Sequence, residues 1–349
     1  MNKGKMKKQT GLFDAEFRLR KIDTIGDPLQ KLTSCIDWER FRVLLTHGFE
    51  KDETAKGPGG RPPYDYVLRF KVLVIQSLYN LSDDAMEFQL NDRRTFQRFI
   101  GLDDKDAIPD AKTIWTWREA LTQKETFEKL FKKFSRMLEE KEIVANSGSI
   151  IDATFVDKPR QRNTRDENDD IKNGKTPERW EKPGNEAMLR QKDLDARWTK
   201  KNDETHYGYK NHVKVDEKTK LITKGVTTDA SVHDSQALQK LLDKTDEGKI
   251  IYADSAYVGE KNEAKIVKKK AIPSVCEKGF RNHPLTLQQK ANNRIKSKTR
   301  VRVEHVFGFM TMSMGRIWIR SVGITRASAQ NTLKNLVYNM HRSYVLARI

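Results

Sequence analysis

Three carboxylates stand in surroundings where a carboxylate needs a partner. Asp152 lies inside the apolar run SIIDATFV and Asp254 inside KIIYADSAY. A carboxylate on the core side of a strand is costly to desolvate unless it is paired or holds a cation. Taken singly, either Asp could cap a turn at a strand end or pair with a nearby lysine. Two such strands in one region point instead to a shared site. Hard divalent cations take oxygen ligands, and magnesium is commonly held by one or two carboxylates together with substrate phosphate. Glu304 is the third member. It is the only acidic residue between Lys278 and Ile349, a stretch that holds Lys298, Arg300, Arg302, Arg316 and ten further lysines and arginines, Arg348 among them. A solvated helix face ordinarily mixes both signs. An i, i+4 pair with Arg300 would account for Glu304 alone, not for the absence of every other acid. A positive surface around one carboxylate is what a phosphate backbone approaching a metal would meet.

These carboxylates need elements to hold them. Arg300, Glu304, Gly308 and Thr311 recur at helical spacing and predict one shared face. Gly308 leaves room one turn from Glu304, while Val303, Val306, Phe307 and Met310 supply an adjoining apolar face. SIIDATFV, GYKNHVKVD, LITKGVTT, KIIYADSAY and AIPSV read as strands, with an amphipathic helix after Asp234 between them. Strands mixed with helices predict an α/β or α+β catalytic-type domain. Residues 157–205 interrupt it as a polar insertion, rich in both charge signs and expected to bury little and to be partly mobile.

Upstream the texture is helical. Residues 1–29 read as a basic, partly disordered tail with a short patch of Leu12, Phe13, Phe17 and Leu19. Helices are expected at about 38–49, 64–81, 84–90, 93–100, 110–122 and 125–142, with a breaker-rich linker at 57–63. This all-α region, 30–145, is followed by the mixed region 146–349. The short helices at 93–122 carry Arg93, Arg94, Arg98, Lys112 and Arg118, compatible with one helix entering a major groove. A bundle serving dimerisation alone is the plainer alternative.

Bulk composition narrows the partner. The 349 residues carry a formal charge of +18, with 36% hydrophobic and 33% charged residues. Such an excess favours a polyanion, because each phosphate neutralised releases a counterion. No apolar run reaches the ~20 residues of a spanning helix, and no signal-peptide core is evident. Two cysteines, Cys35 and Cys276, make neither a disulfide framework nor a zinc signature. The expectation is a cytoplasmic protein acting on nucleic acid, nucleoid-associated when bound to DNA, with no membrane contact. His206, His212 and His233 fit no zinc spacing and suit local hydrogen bonding better. Of Trp115 and Trp117, at least one should be core. Trp180 and Trp198 either anchor the insertion or stack on an unpaired base.

The stretches SIIDATFVDKPRQRN, QKDLDARWTKKN, GYKNHVKVD, VTTDASVHDSQAL, IYADSAYVG and RVEHVFGFM resemble the DDE transposases of bacterial insertion sequences, in the family named for insertion sequence five, related to the insertion-sequence-four group. FRLRKIDTIGDPLQKL and the helices that follow resemble that family's N-terminal domain, so the likeness covers nearly the whole chain. It implies an α+β protein: an N-terminal all-α DNA-binding domain, then a ribonuclease-H-like, retroviral-integrase-type mixed α/β catalytic domain. It also implies that Asp152, Asp254 and Glu304 are the metal-holding catalytic carboxylates. The implied cofactor is magnesium, with manganese able to substitute, at two ions per site. Such ions, roughly 3.5–4 Å apart, clamp the attacking and leaving oxygens of an in-line displacement. The implied substrate is double-stranded DNA, as terminal inverted repeats and target, engaged by a homodimer. In allied groups a Tyr, an Arg, a Glu and a Lys follow one another along the last helix. Arg300 and Glu304 keep that order, whereas Ser297 and Thr311 replace the Tyr and the Lys. Lys298 and Arg316, with Arg300 and Arg302, are therefore the candidate phosphate contacts. A catalytically inactive or domesticated derivative that only binds DNA, and a nuclease that cleaves without joining, are the competing expectations.

Overall fold

The computed structural model describes residues 14–50, 63–103, 105–144, 147–201, 203–281 and 283–347. Leu12 and Phe13 of the N-terminal patch, residues 57–62 of the linker, and Arg348 lie outside the described residues.

Helices come first: α1 (Asp14–Ile25), α2 (Pro28–Cys35), α3 (Arg42–Phe49), α4 (Tyr66–Tyr79), α5 (Asp83–Asp92), α6 (Arg94–Ile100), α7 (Ala111–Gln123) and α8 (Thr126–Glu140). Their starts are set by short side chains that accept otherwise unpaired amides. Ser82 accepts from Ala85 N, Asp110 from Thr113 N, and Asp65 from both Val67 N and Leu68 N. α4 is buried along most of its length, with Phe70, Val72, Leu73, Val74 and Ile75 fully enclosed. α1 falls where a partly disordered tail was expected, and α2 begins at that tail's end. Asp27 caps α2 with Pro28 at its first position, Leu29 and Leu32 are buried, and Arg98 of α6 pairs with both Asp23 and Asp27. Propensity alone does not reveal those partners, some seventy residues away.

The mixed region follows: β1 (Gly148–Asp157), α9 (Arg165–Lys172), α10 (Glu178–Glu181), α11 (Glu186–Gln191), β2 (Arg197–Lys201), β3 (Glu204–Asp216), β4 (Ile222–Asp229), α12 (Asp234–Leu241), β5 (Ile250–Ala253), α13 (Glu260–Val267), β6 (Ile272–Val275), α14 (Leu287–Arg300), α15 (Arg302–Met312) and α16 (Ile324–Leu346). The sheet runs β6-β5-β1-β3, and β3 carries both β2 and β4 on its far edge. β5 and β6 are parallel to β1, whereas β3 is antiparallel to its neighbours. A mixed sheet of this order behind a helical region is the ribonuclease-H-like arrangement that the resemblance implies.

Period-two alternation sends β1 to two cores. Ile150 and Val156 join the large cluster shared with α15, α16 and the N-terminal helices. Ile151 joins a smaller cluster with Leu238 and Leu241 of α12, Ile251, Ala253 and Ile266 of α13. α16 links the regions, packing on α8, α4, α2 and α7 as well as on β4 and β3. On its sheet side Asn331, Asn335 and Asn339 recur every four residues. Asn331 donates to Thr227, Asn335 pairs with Asn211, and Asn339 takes the Ile222 N–H at 2.8 Å and donates to the Ile222 carbonyl at 2.7 Å. Gly225 permits this approach, since a Cβ there would lie 2.6 Å from the Asn335 amide nitrogen.

The polar insertion is structured more fully than its composition predicts. Trp180 is 1% exposed and donates its indole N–H to Glu167, itself the third residue of a capping box with Thr164. The expectation that this segment buries little is corrected: one aromatic anchor and a run of short helices organise it. Among the described residues, no helix is long and apolar enough to cross a membrane.

Two outcomes follow from this packing. Asn339→Ala leaves the buried Ile222 amide and carbonyl unpaired and should lower unfolding stability by roughly 1–3 kcal/mol in urea titrations, each unsatisfied group carrying that order of penalty. His212 is fully buried, with Nε2 2.9 Å from Thr228 Oγ1. Burial lowers its pKa from 6.5 to about 4, opposed by Asp234 and Asp229 and aided by Lys210. Because the folded value lies below the unfolded one, the contribution of the neutral imidazole is complete above pH 6.5 and is lost as pH falls towards 4. The full effect is on the order of 3 kcal/mol. Unfolding midpoints measured across that window should fall less steeply in His212→Gln than in the wild type; parallel curves would exclude His212 as the source.

Candidate active site

Asp152 lies mid-way along β1, paired across to Val213 of β3. The parallel register matches Ile151 with Ala253, so Asp254 follows directly beyond the last paired position of β5. Alternation directs Asp152 to the same face as Ile150, the side covered by α15 and α16. Asp152 is 8% exposed, and its Oδ1 accepts from the Ala153 amide at 2.8 Å, which leaves Oδ2 for another partner. Burial pushes its carboxyl up from 3.8 to about 6. The Ala153 amide and Arg300 pull it back, and the like charges of Asp254 and Glu304 add to the rise. Asp254 caps the short turn Ser255–Tyr257, with Oδ1 accepting from Ala256 N.

Glu304 arrives from a different part of the chain. α14 and α15 are two helices, not the continuous one the spacing predicted. Val301 forms the junction, where the Glu304 amide reaches back three residues to the Val301 carbonyl. The Arg300–Glu304 pairing survives this junction. Arg300 Nη1 lies 2.9 Å from Asp152 Oδ2 and 3.6 Å from Glu304 Oε1. Val303, Val306, Phe307 and Met310 are buried and seat α15 on the sheet, so Glu304 stays outward with its side chain 54% exposed. A Cβ at Gly308 would meet nothing within 4 Å, as its spacing one turn from Glu304 suggested.

The donor set is therefore all oxygen, at one edge of the sheet core, with the negative charge of Asp152 poorly solvated. That chemistry suits a hard divalent cation. Among the described residues no three His, Cys, Asp or Glu side chains stand together as a ready-made metal cluster. The cation already between Asp152 and Glu304 is the guanidinium of Arg300.

The other candidates are distributed differently. Lys298 is exposed on α14. Arg302 is exposed, with Nη1 donating to the Glu217 carbonyl. Arg316 lies past α15 in a left-handed turn, beside Gly315, whose carbonyl accepts from Asn80 of the N-terminal region. Ser297 is 3.9 Å from Cys276, and Thr311 is exposed. In the helical region, Arg118 is tied to Asp83 and Gln76, and Arg98 to Asp23 and Asp27; these cations brace helices. Trp117 is buried and Trp115 half-exposed. His206 stacks on Phe155, and His233 caps α12. Two groups had no sequence signal. Tyr257 is fully buried three residues after Asp254, and its hydroxyl has no hydrogen-bond partner among the described residues. Lys158 and Asp193 form a buried ion pair, and Asp193 also accepts from Tyr209 and from the Gly323 amide that opens α16. The DLD of QKDLDARW was visible; that it grips α16 was not.

Comparison with known proteins places this geometry. The family described as Transposase DDE domain matches residues 145–340, which span all three carboxylates. The family described as Transposase domain (DUF772) matches residues 17–120, within the helical region. Among solved structures, the piggyBac transposase synaptic complex with hairpin DNA, determined by cryo-EM, is 12% identical with a TM-score of 0.47, over 93% of this chain and 76% of that one. With a family match across more than half of its length, the chain belongs to the transposase DDE domain family.

Proposed function

We propose that this chain is an active transposase that binds the inverted-repeat ends of its element, hydrolyses phosphodiester bonds to expose 3′-OH ends, and joins them to target DNA. The observation that supports this reading is the transposase DDE domain match over residues 145–340, which spans Asp152, Asp254 and Glu304, together with Arg300, which links buried Asp152 to Glu304. Residues 146–349 form the catalytic region, with 157–205 inserted. Residues 30–145 recognise ends and bring two copies together in synapsis.

Asp152, Asp254 and Glu304 are the residues that would hold the metal. When bound, two magnesium ions, or manganese in their place, supply activation of water and neutralisation of charge on the attacking and leaving oxygens. Asp152 is the fixed member, since the Ala153 amide and the strand hold its orientation. Asp254 is held by its own turn. Glu304, half-exposed on α15, is the member reached first from solvent. Lys298, Arg302 and Arg316, all exposed, position the DNA strand through its phosphates without reading bases. The net charge of +18 supports the same partner.

Asp152→Asn, Asp254→Asn and Glu304→Gln should each reduce end nicking by roughly 10²–10³-fold or more, the scale on which removing one electrostatic stabiliser of the transition state is felt. Gel shifts on the same preparations should show end binding retained. Nicking at the wild-type rate by any one variant removes that residue from the site. Supplied with pre-cut 3′-OH ends, the wild type should yield joined product; hydrolysis without joining would make it a nuclease. Lys298→Ala should weaken binding equally for end and unrelated duplexes and flatten the log–log salt dependence by about 0.9 for each phosphate no longer neutralised. An unchanged slope would take Lys298 off the phosphate path.

A further inference from the structure

Arg300 is placed where a metal ligand set would be expected to receive metal. It is the last residue of α14, and its guanidinium reaches Asp152 at 2.9 Å and Glu304 at 3.6 Å. Among the described residues these two carboxylates are its ion-pair partners. Of the neighbouring cations, Lys296 donates to the Val275 carbonyl, Arg302 donates to that of Glu217, and Lys298 is exposed. Arg300 therefore carries the task of offsetting the mutual repulsion of the acidic cluster. A guanidinium can do that electrostatically, but it has no coordination position to offer and keeps its protons at working pH. A divalent cation using Asp152 Oδ2 requires that Arg300 Nη1 leave it.

We propose that Arg300 is a cation surrogate: it holds Asp152 and Glu304 in register in the metal-free site, competes with divalent metal for their oxygens, and moves to a substrate phosphate when metal displaces it. This rests on the metal site proposed above. The side chain is 23% exposed, at the mouth of the site rather than sealed in it, so it can turn outward. The planar fork that now bonds a carboxylate matches a phosphate equally well. Metal entry thus releases a phosphate-binding arginine, and phosphate binding draws that arginine from the metal's oxygens. By linkage the two bindings favour each other. Arg300 is on this view a positioning residue whose removal makes metal binding easier, the reverse of what removing a supporting side chain does.

Manganese affinity of the full-length protein without DNA, read by electron paramagnetic resonance of free Mn²⁺, tests this without any turnover. Arg300→Gln should bind Mn²⁺ at least about tenfold tighter than the wild type, about 1.4 kcal/mol by the relation of affinity to free energy. Arg300→Lys, which keeps the charge, should fall between them. Metal-free melting should drop in Arg300→Gln and recover on adding Mn²⁺ by more than in the wild type. Equal or weaker Mn²⁺ binding in Arg300→Gln, with Arg300→Lys indistinguishable from the wild type, overturns the proposal. The combined Asp152→Asn, Asp254→Asn, Glu304→Gln protein separates the two levels. If the wild type binds Mn²⁺ no better than this variant, the metal site itself fails and the surrogate with it; if the wild type binds and Arg300→Gln is no tighter, the surrogate alone fails.

Discussion

The buried charge of Asp152 is the constraint around which the mixed region is arranged. A carboxylate at the middle of the central strand, flanked by β3 and β5, has little water to solvate it. One oxygen is satisfied by the next backbone amide and the other by Arg300, while Asp254 and Glu304 raise the local negative potential. Such a cluster is stable only with a positive partner at hand. Replacing the aspartate with an aliphatic residue would suit the strand better, so its presence there is explained by chemistry rather than by packing.

Bringing Glu304 to that strand is a long-range task, and most of the second half of the chain contributes to it. α15 seats four apolar side chains against the sheet and leaves its acidic residue at the rim. α16 then covers the same face, tied to β4 and β3 by its asparagines and to the N-terminal helices by its apolar side. The hydrophobic cluster therefore continues from the helical region into the sheet. The helical region and the catalytic sheet are joined by packing as well as by chain.

The insertion is anchored by the same logic of buried, fully partnered charge. Lys158 and Asp193 are almost completely enclosed, yet Asp193 also receives Tyr209 O–H and backbone amides at 195, 196 and 323. A buried pair with its lone pairs used holds geometry even where it adds little net stability. It fastens the end of β1, the insertion and the start of α16 at one point. Trp180 provides the insertion's own apolar anchor.

Sequence alone determined the features that depend on nearest neighbours and period. The strands around Asp152 and Asp254, the helix starts at Ser82 and Asp110, the apolar face of α15 and the single acid in a basic stretch were all legible, because capping, alternation and helical spacing act over a few residues. Tertiary structure decided what depends on distant partners. α2 is held by burial and by Arg98, which also pairs with Asp23 of α1, and the polar insertion is organised by Trp180. Arg98 and Arg118, which looked like groove-facing cations, turn inward to aspartates. Arg300 looked like a phosphate contact and is found bound to Asp152, 148 residues earlier. A side chain's type states which charge it carries; only the fold decides which opposite charge is nearest, because electrostatic and packing energies depend on distance in space and not along the chain.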